Sequence, residues 1–352
     1  MRGVAGQAGV ASAARPMEAE TAAELPVGEG WWFEPKWDGF RCLAFRDGEE
    51  VVLQAKSGKR LTRFFPEIAE ALAEVRADRF ALDGELVIPR HARFSFEALQ
   101  LRLHPAESRI RRLAASEPAV LAVFDMLVAP GGRDLRAEPL RRRRAALAAF
   151  LARHASARLI ETLGTDERVV AERWLDSGLL EGVVAKRLDG PYVEGGRAML
   201  KIKRVRTADC VVGGYRYAEA SPVVGSLLLG LYDDEGRLDH VGFTSGFAGV
   251  DRAGLTRTLE ALRGGPGFTG KAPGGPSRWS TERSAAWTPV RPELVVEVSY
   301  DHVSGDRFRH GTRLLRLRPD KAPRQCQLEQ ISPPKPQRGG VGQATRPLSS
   351  AP

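Results

Sequence analysis

The stretch Lys36-Trp37-Asp38-Gly39-Phe40-Arg41 decides how this chain is read. A lysine framed this way can act as a nucleophile, and the order of the downstream motifs gives that reading its weight. Asp83-Gly84-Glu85, Phe124-Asp125, Glu181-Gly182 and Lys201-Ile202-Lys203 come after it in sequence. Around the hexapeptide, Trp31 to Arg46 reads as two strands flanking a loop at Lys36. Asp47-Gly48 is a hairpin turn leading into Val51-Val52-Leu53.

Further out, strands and helices alternate. Pro66 suits a first helical position, with Ile68, Leu72 and Val75 at helical spacing behind it. Phe80 to Ile88 reads as a strand carrying Asp83 and Glu85 on one side. Ser95 caps a short helix, Val120 to Leu127 is a strand, and Pro139 opens a basic helix through Leu151. Leu179 to Lys186 and Met199 to Lys203 are two more strands. Hairpins mixed with helices predict an α+β layer architecture.

After about Thr207 the pattern changes to short, turn-bounded strands: Val211 to Tyr217, Leu227 to Tyr232, His240 to Phe243, Leu294 to Tyr300 and Leu314 to Arg318. Five strands with one helix, Leu255 to Leu262, suit a small Greek-key barrel of the OB type. The expected organisation is a disordered tail over 1–24, with Pro16-Met17 the alternative start of order, one domain over 25–206, a second over 207–330, and a tail over 331–352 rich in Pro, Gly and Gln.

Composition narrows the setting. Of 352 residues, 43% are hydrophobic and 28% charged, as in a soluble globular protein, and the formal net charge of +9 favours a polyanionic partner. Cys42, Cys210 and Cys326 lie far apart with no C-x-x-C pair, which excludes a disulfide framework or a zinc finger. No apolar run has membrane-spanning length and there is no signal-peptide core. The cytoplasm is the expected compartment.

The motifs imply nucleotide chemistry. An amine attacks phosphorus only when unprotonated, and neighbouring cations help release it. Lys201 and Lys203, two apart on a strand, are placed to supply that field to Lys36 and to bind a phosphate. Glu85 and Glu181 sit in apolar strands, where an unpaired charge is costly and a metal or cation partner resolves the cost. Taken singly, Lys36 is also an ordinary turn lysine, Glu181 half of a structural ion pair, and Phe124 a core residue. Arg141 to Arg144 reads as a solvated helical face, with a DNA-backbone contact as the alternative. Arg307, Arg309, Arg313 and Arg316 are candidates for contacts to phosphates.

The ordered set resembles the covalent nucleotidyltransferases, and most closely the small bacterial ATP-dependent DNA ligases of the C type. The resemblance spans roughly residues 25 to 328. It implies an ATP-grasp-like adenylation domain followed by an OB-fold β-barrel. It places the AMP-accepting nucleophile at Lys36, adenine contact at Glu34, and nucleotide and nick-phosphate contact at Arg41. Ribose or metal falls to Glu85, adenine stacking to Phe124, metal to Glu181, and phosphate to Lys201 and Lys203. Arg197 is implied to reach the triphosphate or the nick. Arg318-Pro319-Asp320-Lys321 fits the final motif, which in the family orients the leaving pyrophosphate.

Two departures stand out. Ala55-Lys56-Ser57-Gly58 replaces the family's Ser-Arg-x-Gly, so Lys56 meets DNA phosphate without arginine's bidentate fork. Met199 replaces a frequent tryptophan. The implied cofactors are ATP and Mg²⁺ or Mn²⁺, and the implied partner is nicked double-stranded DNA. A monomer is expected, working in repair beside a Ku-like end-binder or a repair polymerase. The competing readings are an RNA ligase or capping-type nucleotidyltransferase, and an OB-fold DNA-binding protein without catalysis.

Overall fold

The computed structural model describes residues 14–90, 93–177, 180–247, 249–274 and 286–332. Contacts divide the chain into two units that meet in sequence at Lys203 and Arg204, against 206 from the sequence. Among the described residues no helix is long and apolar enough to cross a membrane.

The first unit is built on two sheets. In spatial order the larger runs Leu159–Glu161, Val120–Ala129, Arg79–Val87, Phe40–Asp47 and Glu50–Ala55. The smaller runs Glu18–Ala22, Arg197–Ile202, Gly182–Arg187 and Trp31–Lys36. Val120–Ala129 reads VLAVFDMLVA and is buried at nine of its ten positions, so it must be covered on both faces. One face packs Leu82, Leu86, Leu121 and Val123 against helices Pro66–Ala73, Phe96–Arg102 and Leu140–His154, through Leu72, Leu99 and Phe150. On the other face, Leu43, Phe45, Ala81 and Leu127 meet Met17, Tyr192 and Met199 from the side of the smaller sheet. Helix Arg168–Asp176 covers the far side of that sheet, setting Ala171 on Phe33, Val183, Ala185 and Ile202. The result is a helix, sheet, sheet, helix sandwich of the α+β kind.

The first helix begins with proline in its first turn, and Ser95 Oγ accepts the Ala98 N–H at 3.2 Å, both as the sequence suggests. The expected tail through residue 24 is corrected. Glu18–Ala22 is a strand paired in parallel with Arg197–Ile202, and Met17 is buried in the apolar layer between the sheets. Alternating Ala and Glu hid this edge strand, because its apolar content is supplied by Met17 and by the neighbouring strand. Residues 1–13 and 333–352 of the expected tails lie outside the described residues.

In the second unit the strands Arg206–Tyr217, Val224–Tyr232, Leu238–Gly246, Thr312–Leu317 and Val295–Tyr300 pair in succession, and the last returns to the first. All these pairings are antiparallel except Leu238–Gly246 with Thr312–Leu317. Inside lie Val211, Tyr215, Leu227, Leu229, Val241, Val296 and Leu314. Helix Arg252–Ala261, N-capped by Asp251 on the Gly254 N–H at 3.0 Å, adds Leu255 and Leu259 to this core.

Candidate active site

Lys36 ends the strand Trp31–Lys36, and the chain turns through Asp38-Gly39 into Phe40–Asp47. The turn is tight against its neighbour. A Cβ on Gly39 would lie 2.2 Å from the Leu86 carbonyl oxygen and 2.7 Å from Glu85 Cγ, so only glycine fits. Opposite Lys36, Gly182 is equally confined, with the Ile202 carbonyl oxygen 2.2 Å from where its Cβ would be. Both motif glycines thus bring backbone against backbone and fix the loops that carry Lys36 and Glu181. Trp37 anchors the turn by giving its indole N–H to Thr162 Oγ1 at 3.1 Å and packing edge-on to Phe94.

Lys36 opens onto a pocket of about 550 Å³ within the first unit. Glu34, Arg41, Lys56, Glu85, Phe124, Arg197 and Lys201 all line it, so residues scattered over more than half of that unit's sequence converge. Glu181 joins at the Lys36 end. Its Oε2 accepts from Lys36 Nζ, and its Oε1 pairs with Lys203 Nζ at 2.5 Å. Burial pushes the Glu181 carboxyl up, but Lys36 and Lys203 together pull it below its usual range. The direct field of Lys203 on Lys36 expected from the sequence is therefore interrupted by a carboxylate that binds both.

Arg41 forms a fork on Asp83, with Nε to Oδ1 and Nη2 to Oδ2 both at 2.6 Å, and its Nη2 also donates to the Met17 carbonyl. Tyr192 Oη donates to Asp83 Oδ2 at 2.6 Å and accepts the Met17 N–H. Asp83 is thereby spent on structure, while Glu85, two residues on, faces the pocket. Among the described residues Glu85 has no ion-pair partner. Burial, opposed by Arg41 and Lys36 and assisted by Asp83 and Glu181, holds its carboxyl up at about 7. Such a site favours a cation, and with Glu181 nearby its oxygens fit Mg²⁺, which takes one or two carboxylates and fills its shell with water and phosphate. Among the described residues no group of three or more His, Cys, Asp or Glu side chains is placed to hold a metal ion.

Another part of the pocket is organised around Glu34. This buried carboxylate pairs with Lys186 Nζ at 2.6 Å and Arg144 Nη1 at 3.4 Å, and accepts the Trp32 indole N–H at 3.1 Å. Lys186 Nζ also lies 4.3 Å from the centre of the Phe124 ring, with the Arg41 guanidinium at 4.6 Å. Phe124 therefore lines the pocket flanked by cations instead of lying in an apolar core.

Lys186 was missed by sequence reasoning. A lysine in the apolar run Gly182-Val183-Val184-Ala185 carries the same signal that singled out Glu181, a charge where burial demands a partner. Of the wall formed by Pro16 to Thr21, the sequence marks Pro16-Met17 as a start of order, and the strand Glu18–Ala22 that follows was missed. Lys56 sits on that wall's rim, paired with Glu18 at 3.0 Å.

The solvated reading of Arg141 to Arg144, and its DNA-contact alternative, hold for neither of the last two. Arg143 is buried and grips Asp125 through Nε and Nη2, at 2.8 and 3.0 Å. Arg144 stacks on Trp32 and holds Glu34 and Glu161. Only Arg141 and Arg142 are exposed. In the second unit, Arg318 binds Asp320 and Asp209, and Lys321 binds Asp209.

Comparison with known proteins draws these observations together. The pattern of the ATP dependent DNA ligase domain matches residues 12–203, and that of the ATP dependent DNA ligase C terminal region matches residues 220–321. The chain belongs to the ATP-dependent DNA ligases. It is 44% identical to DNA ligase C1 of Mycolicibacterium smegmatis over 332 residues, covering 91% of this chain and 94% of that one. DNA ligase C of Mycobacterium tuberculosis is 40% identical over 338 residues, with the same coverage of 91% and 94%. A solved Lig E DNA ligase, 18% identical, superposes with a TM-score of 0.54 over 86% of this chain and 99% of that one, a likeness of fold. In this ligase Lys36, Lys56, Arg197, Lys201 and Glu85 line one pocket, and Glu181 is bound to Lys36 beside it. Covalent nucleotidyl transfer requires these groups together.

Proposed function

We propose that the protein seals nicks in duplex DNA at the expense of ATP through a lysyl-AMP intermediate on Lys36. The observation that carries this is the placement of Lys36 on the pocket with Glu85, Lys201 and Arg197, in a chain of the ATP-dependent DNA ligase family. Deprotonated Lys36 Nζ attacks the α-phosphorus of ATP; a P–N bond forms, the α–β anhydride breaks, and pyrophosphate leaves. The 5′-phosphate at a nick then displaces Lys36 to form a DNA-adenylate. Attack by the 3′-hydroxyl on that phosphate closes the strand and releases AMP.

In this reading Glu34, held by Lys186 and Arg144, faces the base, and Phe124 stacks against the purine. Lys201 and Arg197 bind phosphate oxygens, and Lys56, Arg41 and Arg197 meet the nick. A divalent cation held by Glu85 and Glu181 would neutralise charge on the transferring phosphate. We read the five-strand circuit of the second unit as an OB-type barrel, whose Arg318, Asp320 and Lys321 handle the departing pyrophosphate.

The test is intact mass. Incubation with ATP and Mg²⁺ should add one AMP, which disappears as nicked duplex is sealed, and Lys36→Ala should acquire none. A Lys36→Ala protein that still gains AMP would refute the nucleophile. Nicks with RNA on either side separate a DNA ligase from an RNA ligase.

A further inference from the structure

Arg318 and Lys321 owe their placement to a residue far away in sequence. Asp209 lies on the strand Arg206–Tyr217, and its carboxylate is 12% exposed. One oxygen accepts from Arg318 Nη1 at 2.8 Å and the other from Lys321 Nζ at 2.7 Å. Asp320 takes the Arg318 Nε and Nη2 donors at 3.0 and 2.9 Å. The backbone of Asp209 is itself clamped: its N–H donates to Gln330 Oε1 at 3.1 Å and its carbonyl accepts from Gln330 Nε2 at 3.2 Å. One aspartate therefore sets the spacing of two cations, one on each oxygen.

The arrangement does not exhaust them. Arg318 has five N–H donors and Lys321 three, so each keeps donors for another anion after Asp209 and Asp320 are served. Free, these long side chains would lose rotamer freedom on meeting a phosphate group; held in advance, they lose little. The carboxylate also tempers the positive charge, so anion binding in the ground state is not made tighter than turnover allows.

We propose that Asp209 is a positioning residue for ATP cleavage, holding Arg318 and Lys321 at the separation needed to receive the pyrophosphate as it departs. This rests on the reading above that those two cations act in the first step. Asp209 has no part in sealing a nick that already carries AMP.

The experiment measures lysine adenylation against ATP concentration for the wild type, Asp209→Asn, Gln330→Ala and Arg318→Ala. Asp209→Asn should lower the maximal rate about tenfold without raising KM for ATP, because fixed orientation is lost while positive charge is gained. Pyrophosphate-driven release of AMP from the adenylated enzyme should slow by a similar factor. Gln330→Ala, which keeps the carboxylate but loosens its backbone, should fall between. Sealing of a nick pre-loaded with 5′-adenylate should be unchanged in both, showing that the second unit is folded. Full-speed adenylation by Asp209→Asn would overturn the proposal, as would an equal loss in sealing of the pre-adenylated nick. If Arg318→Ala itself adenylates normally, the fault lies in the reading of the motif, and Asp209 falls with it.

Discussion

Asp125 and Arg143, 18 residues apart, form a two-point ion pair in which both side chains are 99% removed from solvent. Asp125 is the neighbour of Phe124, so the pair tethers the basic helix to the strand that supplies the aromatic wall of the pocket. Arg143 also donates to the Glu138 and Gly190 carbonyls, which ties the loop before Tyr192 to the same point.

Breaking one partner leaves a buried charge alone. Arg143→Met should cost about 3–5 kcal/mol of stability, whereas Arg143→Met combined with Asp125→Leu should regain a large part of that loss. Urea unfolding of the two variants checks this. A double variant no better than the single would mean that the carbonyl contacts, and not the ion pair, carry the effect.

Arg144 is expected to act through Glu34. Arg144→Leu should raise KM for ATP in self-adenylation about tenfold, the scale of one charge-assisted hydrogen bond, and lower the maximal rate less. Were this arginine merely a solvated member of a charge run, adenylation kinetics would not change.

His240 gives the second unit a pH signature. Burial, reinforced by Arg307 and Arg216, pushes its pKa down to about 3 from an ordinary 6.5. Between those values the unfolded chain binds a proton that the folded unit refuses, so stability falls as pH drops through that window and is fully present above it. The free energy of unfolding from pH 4 to pH 7 should climb by an amount on the order of a few kcal/mol, and His240→Asn should flatten that slope. An unchanged slope in His240→Asn would assign the acid sensitivity elsewhere.

Gly39→Ala tests the close approach at the nucleophile. The added methyl would meet backbone, which cannot swing aside as a side chain does. A loss of about 3 kcal/mol is expected, together with failure to acquire AMP, because the Lys36 loop must lift away from Glu85. Thermal unfolding and intact mass report the two effects separately.

The sequence was most legible where chemistry is concentrated in short motifs. Lys36, Glu34, Arg41, Lys56, Glu85, Phe124, Arg197 and Lys201 converge on one pocket, and most of them belong to short motifs that set a charge beside a glycine or inside an apolar strand. Long apolar strands such as Val120–Ala129 were equally plain. What stayed hidden were residues whose meaning depends on a distant partner. Arg143 and Arg144 look solvated until Asp125 and Glu34 are placed beside them. Lys186 looks incidental until the strand is paired with Trp31–Lys36. Glu18–Ala22 has too little apolar content to announce a strand, since the edge it completes lies far along the chain.

That edge strand changes how the protein is to be handled. Residues 16–21 form one wall of the pocket that holds Lys36, and the Met17 carbonyl accepts from Arg41 while its N–H donates to Tyr192. Trimming the chain to where its composition turns globular, at Leu25, would open the pocket on one side and strip two hydrogen bonds from the network around Asp83. A tag or protease acting at this segment would disturb the pocket around Lys36, although its composition reads as that of a tail.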